Sequence, residues 1–406
     1  MDKIMIIGAG DFQLPLVEAA SRECSVILVA PAIDKRFDNY ISGKYLADVR
    51  EKEKILEIAR NEKIQGILTD QTDIPVSTVA YVSEKLGING IGYDISRLFT
   101  DKFLMRKKME ELNLPVLPHK LITSVDEAVS FYNENAGEII IKPVDTQGSR
   151  GVVKVKNEGE ILQAFNFAKS FSNNGSVLTE KYAAGIEFVV EAVTNNYKCQ
   201  NLICGDTIYF DNKSLFSAKK RTFPSQRSAE LTQRVLELNK KIVEGFGLPY
   251  GITHAEYIMD GDEIYLLEIA ARGGGVYISS DLIYERTLFR PETFLINKAL
   301  SKDADINIKE TNLTVGYRAF YIPTGTVETV TGIEAVKKLP YIRRHQLDKI
   351  YEGMTVGENS NKTSRIAMIV VADSHQQWEE RILEIRNILH VKVKTLAGDY
   401  QDIIWD

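Results

Sequence analysis

The sequence predicts a parallel α/β unit, then an α+β unit, then a β-rich cap. Three observations carry this. Short continuous apolar runs (KIMIIG, SVILVA, IQGILTD) alternate with helix-patterned stretches up to about residue 92, as strands buried on both faces of a parallel sheet do. Beyond them, neighbouring strand patterns are joined by tight-turn signals such as DGD at 260–262, the mark of antiparallel pairing. The chain has 406 residues, more than one core of roughly 250–300 residues fills, so two or three domains are expected. The expected boundaries are 1–92, 93–311 with a lid subdomain over about 115–190, and 312–406.

The elements follow in order. Strands are expected at 3–8, 25–30 and 64–69, with helices at 12–22, 51–61 and 74–86, the last stopped by Gly87. A charged amphipathic helix runs up to Pro115, and another lies near 125–135. Strands 138–142, 151–155 and 176–180 surround a helix near 158–170. Strand 186–194, a hairpin-like stretch 200–210 and helix 228–245 lead to strands 252–259 and 263–269. The last unit holds GYRAFYIP, GTVETVTG and SRIAMIVVAD, with a final amphipathic helix at 375–389.

Composition excludes several classes. Net charge is −6, without the basic excess of a non-specific nucleic-acid binder. Cys24, Cys199 and Cys204 match no zinc or redox spacing, and so sparse a set suits a reducing compartment. No apolar run reaches the ~18 residues of a membrane span. A cytosolic protein without membrane attachment is therefore expected.

The chain opens with IIGAGDFQLP, in which Gly8 and Gly10 begin a dinucleotide-type fingerprint but Gln13 replaces its third glycine. Three later stretches carry more chemistry. In EIIIKPVDTQGSRGV, Lys142 ends a strand and Gly148, Ser149, Arg150 and Gly151 follow in a loop. Such a loop can lay backbone N–H groups over phosphates, with the lysine neutralising charge. In VLTEKYAAGIEF, Glu180 ends an apolar strand, Lys181, Tyr182 and Ala183 form a connector, and Glu187 begins the next strand. A connector beside a strand offers an adenine one backbone donor and one acceptor, and a carboxylate can take two ribose hydroxyls. In GITHAEYIMDGDEIYLLEIAARGGG, alternation puts His254 and Glu256 on one strand face. Pairing through the DGD turn sets Glu268 beside Glu256. Two inward carboxylates side by side need a cation between them, which Mg²⁺ supplies. Arg272 and a glycine run containing Gly274 stand just beyond.

Together, in this order, these stretches resemble the ATP-grasp superfamily, over most of the chain. TDKFLMRKKMEELNLPVLP is similar to the helix that carries the family's first ATP lysine, here Lys102. The N-terminal unit resembles the family's pre-ATP-grasp domain. The last unit resembles the cap of the carbamoyl-phosphate-synthase, biotin-carboxylase and L-amino-acid-ligase branches. The resemblance implies that Lys102 and Lys142 contact ATP phosphates beneath the 146–151 loop. It implies that Glu180, Lys181, Tyr182 and Ala183 hold adenine, and Glu187 the ribose. Glu256 and Glu268 would bind Mg²⁺ (or Mn²⁺), and Arg272 would stabilise the transferring phosphoryl group, with His254 at the acyl phosphate or the amine. The chain departs from the family's pattern at Ala270, where many relatives carry an asparagine. Lys219 and Arg221, in FSAKKRTFPS, fall where the family's substrate mouth lies. Gly10 and Gly274 are further candidates to touch substrate.

The implied activity is an ATP-dependent carboxylate–amine ligase that works through an acyl phosphate and releases ADP and phosphate. The implied partners are ATP, a small carboxylate or amino acid, and an amine, with room for a homodimer. The alternatives are a formate- or bicarbonate-activating enzyme, and a non-catalytic ATP-binding protein.

Overall fold

The structure is a computed structural model, and it describes residues 1–135, 137–146, 148–211, 217–357 and 364–406. β1 (Lys3–Ile7), β2 (Ser25–Ala30), β3 (Gly43–Leu46) and β4 (Gly66–Leu68) form a wholly parallel sheet in the order β3–β2–β1–β4. The apolar runs account for its centre, since Ile4 to Ile7 and Val26 to Ala30 are all buried. Helices Leu14–Ser21, Lys52–Glu62 and Val76–Leu86 accompany it. The third ends on Gly87 in the left-handed region, as a C-terminal glycine permits.

A four-stranded antiparallel sheet follows: β5 (His119–Ile122), β6 (Ile139–Pro143), β7 (Val153–Val155) and β8 (Val177–Lys181), in the order β5–β8–β6–β7. Ile139, Ile141 and Val177 pack here with Phe131 and Phe165 from the helices Val125–Glu134 and Ile161–Phe171. A capping box between Ser124 and Glu127 fixes the start of the first helix.

The largest sheet has eight strands. It contains β9 (Ile186–Asn195), β10 (Lys198–Tyr209), β11 (Ala218–Phe223), β12 (Tyr250–Asp260), β13 (Glu263–Ala270), β14 (Thr314–Phe320), β16 (Ile342–His345) and β18 (Ile366–Ala372). Their order is β13–β12–β9–β10–β11–β14–β18–β16. The sheet therefore runs without a break through the expected boundary near residue 312. A last sheet joins β15 (Gly325–Thr331), β17 (Thr355–Val356), β19 (His390–Lys394) and β20 (Tyr400–Gln401) in the order β17–β15–β19–β20.

The charged run around Lys219–Arg221 forms β11, a strand that apolar periodicity does not predict. Its residues answer to partners on β10 and β14, not to a simple inside–outside alternation. None of the helices among the described residues is long and apolar enough to cross a membrane.

The opening glycine loop is closed from within. Gly8 takes φ +108°, a turn that only glycine makes readily. Gln13, in the place of the third glycine, folds back so that its Oε1 accepts the Gly10 N–H at 2.9 Å. Its Nε2 donates to the Asp70 carbonyl at 2.9 Å, which ties the loop to the end of β4.

Candidate active site

The site is built on β12 and β13. Their register pairs Glu256 directly with Glu268, and His254 with Ala270. Gly261 turns the chain between them in the left-handed region. On the other side of β12, β9 sets Glu191 opposite His254. Glu191 is fully buried inside a run of apolar residues, so its charge must be matched locally. His254 Nδ1 forms a short ion pair with one of its oxygens, and the Gly274 N–H donates to the other at 2.9 Å. His254 Nε2 lies 3.0 Å from Arg221 Nη1 and 3.2 Å from Glu256. It accepts from Arg221 when neutral and donates to Glu256 when protonated. Burial disfavours the imidazolium, but Glu191 and Glu256 outweigh it, and the His254 pKa rises above its ordinary value. Arg221 Nη2 closes the ring with an ion pair to Glu256.

The other carboxylate is balanced from a different element. Lys102 opens the helix Lys102–Glu111, capped by Asp101. Its Nζ lies 2.8 Å from Glu268 and donates to the Thr146 carbonyl at 2.6 Å. Each member of the carboxylate pair thus has its own cation, Arg221 for Glu256 and Lys102 for Glu268. Among the described residues no cluster of three or more metal-ligating side chains exists. The donor set fits Mg²⁺ as two carboxylates completed by phosphate oxygens and water, which is how Mg²⁺ is ordinarily held.

Lys142, at the end of β6, is buried and ion-paired with Glu180 on β8. Arg106 Nε reaches the same carboxylate at 2.6 Å, and Arg106 Nη2 donates to the Leu267 carbonyl at 2.7 Å. Burial pushes Glu180 up, but Arg106 and Lys142 outweigh it and hold the carboxyl at about 2. Burial pulls Lys142 down to about 8 against the attraction of Glu180. The Glu180 carboxylate is therefore fully engaged, and what it offers the site is the position of Lys142. Past Lys142, Gly148, Ser149 and Gly151 all take positive φ in the loop. Gln147 lies outside the described residues.

The connector after β8 sits over a small apolar cluster of Leu117, Ala183 and Ile258, with Leu267 and Tyr265 beside it. The Lys181 and Tyr182 amides are spent on Pro118 and Glu138 carbonyls. Lys154 Nζ stands 3.5 Å from the centre of the Tyr182 ring. Glu187 accepts from the Tyr209 hydroxyl at 2.5 Å.

A cavity of about 480 Å³ opens beside the carboxylate pair. The N-terminal loop (Gly10, Asp11), the turn after β4 (Asp73), the lid loop (Gly148, Arg150) and the strand face of Arg221, Glu256 and Glu268 all line it. So does Arg272, whose guanidinium is gripped side-on by Asp73 at 2.6 and 2.9 Å.

Three expected substrate contacts are placed differently. Lys219 does not line this cavity; it faces Asp406 at 3.2 Å and Asp211 at 3.5 Å, because the β10–β11 register slips beside Ala218 and turns it away. Gly10 lines the cavity, but Gln13 already takes its amide. Gly274 has its amide on Glu191, and a Cβ there would fall 2.5 Å from Glu191 Oε1 and 2.9 Å from His254 Nδ1. It is a packing glycine under the histidine.

Sequence reasoning missed Glu191, Arg106 and Asp73. A lone acid within the apolar run FVVEAV was a usable signal, since buried acids are rare unless paired. Asp73 follows the C-terminal end of a parallel strand, where ligand crevices form.

The chain is similar to several known proteins. Residues 136–281 match the ATP-grasp domain. An L-arginine-specific L-amino acid ligase of Bacillus subtilis is 24% identical over 354 residues, covering 82% of this chain and 81% of that protein. A formate-dependent phosphoribosylglycinamide formyltransferase of a Nitratiruptor species is 22% identical over 275 residues, covering 66% of this chain and 69% of that protein. The crystal structure of an L-amino acid ligase from Bacillus licheniformis superposes with a TM-score of 0.83 at 19% identity, covering 96% and 98% of the two chains. The chain thus contains a segment, residues 136–281, that matches the ATP-grasp domain, and the proteins it is similar to over most of its length include ligases of the carboxylate–amine branch.

Proposed function

We propose that the chain activates a small carboxylate or amino acid with ATP and joins it to an amine, through an acyl phosphate. The observation that carries this is the cross-strand Glu256–Glu268 pair facing one cavity with Arg272 and His254, while Lys102 is ion-paired with Glu268. A carboxylate is a poor acyl donor, because its oxygen cannot leave as O²⁻. Attack of a carboxylate oxygen on the γ-phosphorus breaks the bond to the β,γ-bridging oxygen, releases ADP and turns that oxygen into part of a phosphate leaving group. Such transfer asks the protein mainly for positioning and charge neutralisation.

Lys102 and Lys142 would face the phosphates, beneath the 146–151 loop. Mg²⁺, held by Glu256 and Glu268, would neutralise phosphate charge when bound. The Ala183 connector and its apolar cluster suit an adenine, and Glu187 a ribose. Arg272 would leave Asp73 for the acyl phosphate and its tetrahedral adduct, as a fixed donor to developing oxyanion charge. In the second step the amine nitrogen attacks the acyl carbon and phosphate departs. The nitrogen must lose a proton, and neutral His254 can take it at Nε2 while Glu191 holds Nδ1–H.

The test is ADP release by the full chain with Mg·ATP and pairs of acids and amines. ADP release that requires both members of a pair supports the ligase reading. Turnover with formate or bicarbonate alone moves the reading to those acids. Mg·ATP binding with no turnover across the panel overturns it.

A further inference from the structure

A second cavity, of about 280 Å³, shares no lining residue with the first. It forms where the helix Leu14–Ser21, the segment beyond the Arg272 turn, the start of the helix Pro291–Ala299 and β16 meet. Four of its charges are matched in pairs. Arg344 Nε lies 3.0 Å from Asp281, and Arg343 Nε lies 2.9 Å from Glu285. Glu18 and Arg22, from the first helix and its end, bring one charge of each sign and leave the balance unchanged.

Two lining groups remain, Glu292 and Arg290. Glu292 is only 7% exposed, and among the described residues no side chain pairs with its carboxyl. Among the same residues no carboxylate pairs with Arg290. The run FRPETF shows why the two do not neutralise each other. Pro291 opens the helix and keeps Arg290, just before it, in extended backbone at φ −109° and ψ 99°. The Arg290 guanidinium stands instead over the Tyr284 ring, 3.8 Å from its centre. A buried acid without a cation is costly to ionise. Burial pushes the Glu292 carboxyl up to about 8, and Asp70 and Asp281 add to this, while its own backbone N–H and Arg290 pull the other way. The carboxyl therefore keeps its proton near pH 7, and a cation set beside it would release that proton.

We propose that this cavity binds a free amino acid, with the ammonium group on Glu292 and the carboxylate on Arg290, apart from the site of the ligase chemistry. A simple amine would meet Glu292 and leave Arg290 unmatched, and a simple acid would do the reverse. A molecule with both charges a few bonds apart satisfies both groups at once, with charge-assisted hydrogen bonds at each end. The proposal goes beyond the ligase reading and does not depend on it.

The probes are the twenty common amino acids, each titrated calorimetrically into the full chain saturated with Mg·ADP. The titrations are made at pH 7 in two buffers of different ionisation enthalpy, and the tightest binder is carried to E292Q and R290Q. At least one amino acid should bind with release of about 0.9 proton, the fraction expected of a group that titrates one unit above the working pH. E292Q should abolish that release and weaken binding by about tenfold or more. R290Q should weaken it comparably but keep the release. Mg·ADP affinity should stay within about twofold in both. An amino acid held in the larger cavity would titrate alike in all three chains. That result, binding without proton release, or failure of every probe to bind overturns the proposal. If E292Q does not fold, R290Q decides: binding as tight as in the unaltered chain overturns it. The ligase reading fails on a different readout, the absence of ADP release from any acid–amine pair.

Discussion

Arg272 and Glu180 show how differently two charged residues of one site are set. The Arg272 guanidinium is held by Asp73, from a turn 199 residues earlier in the chain, and both line the cavity. Arg272→Ala should lower kcat by about 10²–10³-fold, the usual loss of an oxyanion donor. Mg·ATP affinity should change little, which equilibrium titration would check. Glu180 is held by two cations away from that cavity. Glu180→Gln strands Arg106 and Lys142 without their shared counter-charge, and should cost about 3–5 kcal/mol of stability in urea unfolding. The carboxyl titrates at about 2 in the fold against 4.5 for the unperturbed group. Its contribution is therefore complete above pH 4.5 and lost as pH falls from there towards 2. Glu180→Gln should flatten the stability–pH curve across that window. The Glu256–Glu268 pairing was legible from strand alternation and the DGD turn, and Lys142 and Arg272 stood out at the end of β6 and just past β13. Their partners were harder to see. Glu191 lies 63 residues from His254 and Asp73 lies 199 from Arg272, so neither pairing leaves a local spacing to read.

At the scale of elements, the central device is the β13-to-glycine turn that follows the carboxylate pair. Arg272, Gly273 and Gly274 must pass beneath His254, and the Gly274 amide completes the hold on Glu191. Gly274→Ala would drive a methyl group into the Glu191–His254 contact. The Glu191 interaction is what raises the His254 pKa, so its loss should lower it. The acid limb of the kcat–pH profile should then move to lower pH, with kcat reduced by about tenfold or more. Mg·ADP affinity, checked by calorimetry, should hold. Most strands and helices were legible from apolar periodicity, from Gly87 as a stop and from the DGD turn. β11 was not, because its charges are matched by acids distant in sequence, Lys219 by Asp406, Lys220 by Glu379 and Arg221 by Glu256, so the inside–outside rule fails. The opening loop was half legible. Its two glycines marked the turn, but only the fold shows Gln13 filling the place of the third.

The whole molecule is less divided than its three-part sequence pattern suggests. Strands on both sides of residue 312 form one sheet, with β11 paired to β14. One buried cluster contains Ile4 and Leu16 from the first unit, Val189 and Ile252 from the middle and Trp378 from the last. A chain cut after residue 311 would expose the edge of β11 and half of that core. It should be recovered unfolded or aggregated, as its circular dichroism and sedimentation would show. The cavity has the same logic, since all three regions of the sequence contribute walls to it. Its central claim is chemical, and one isotope measurement addresses it most directly. The full chain is given Mg·ATP and a mixture of amino acids and small acids labelled with ¹⁸O in their carboxylates, and the released phosphate is weighed by mass spectrometry. An acyl phosphate requires one labelled oxygen to pass from the carboxylate into the phosphate. Phosphate released with ADP but free of label would contradict the account.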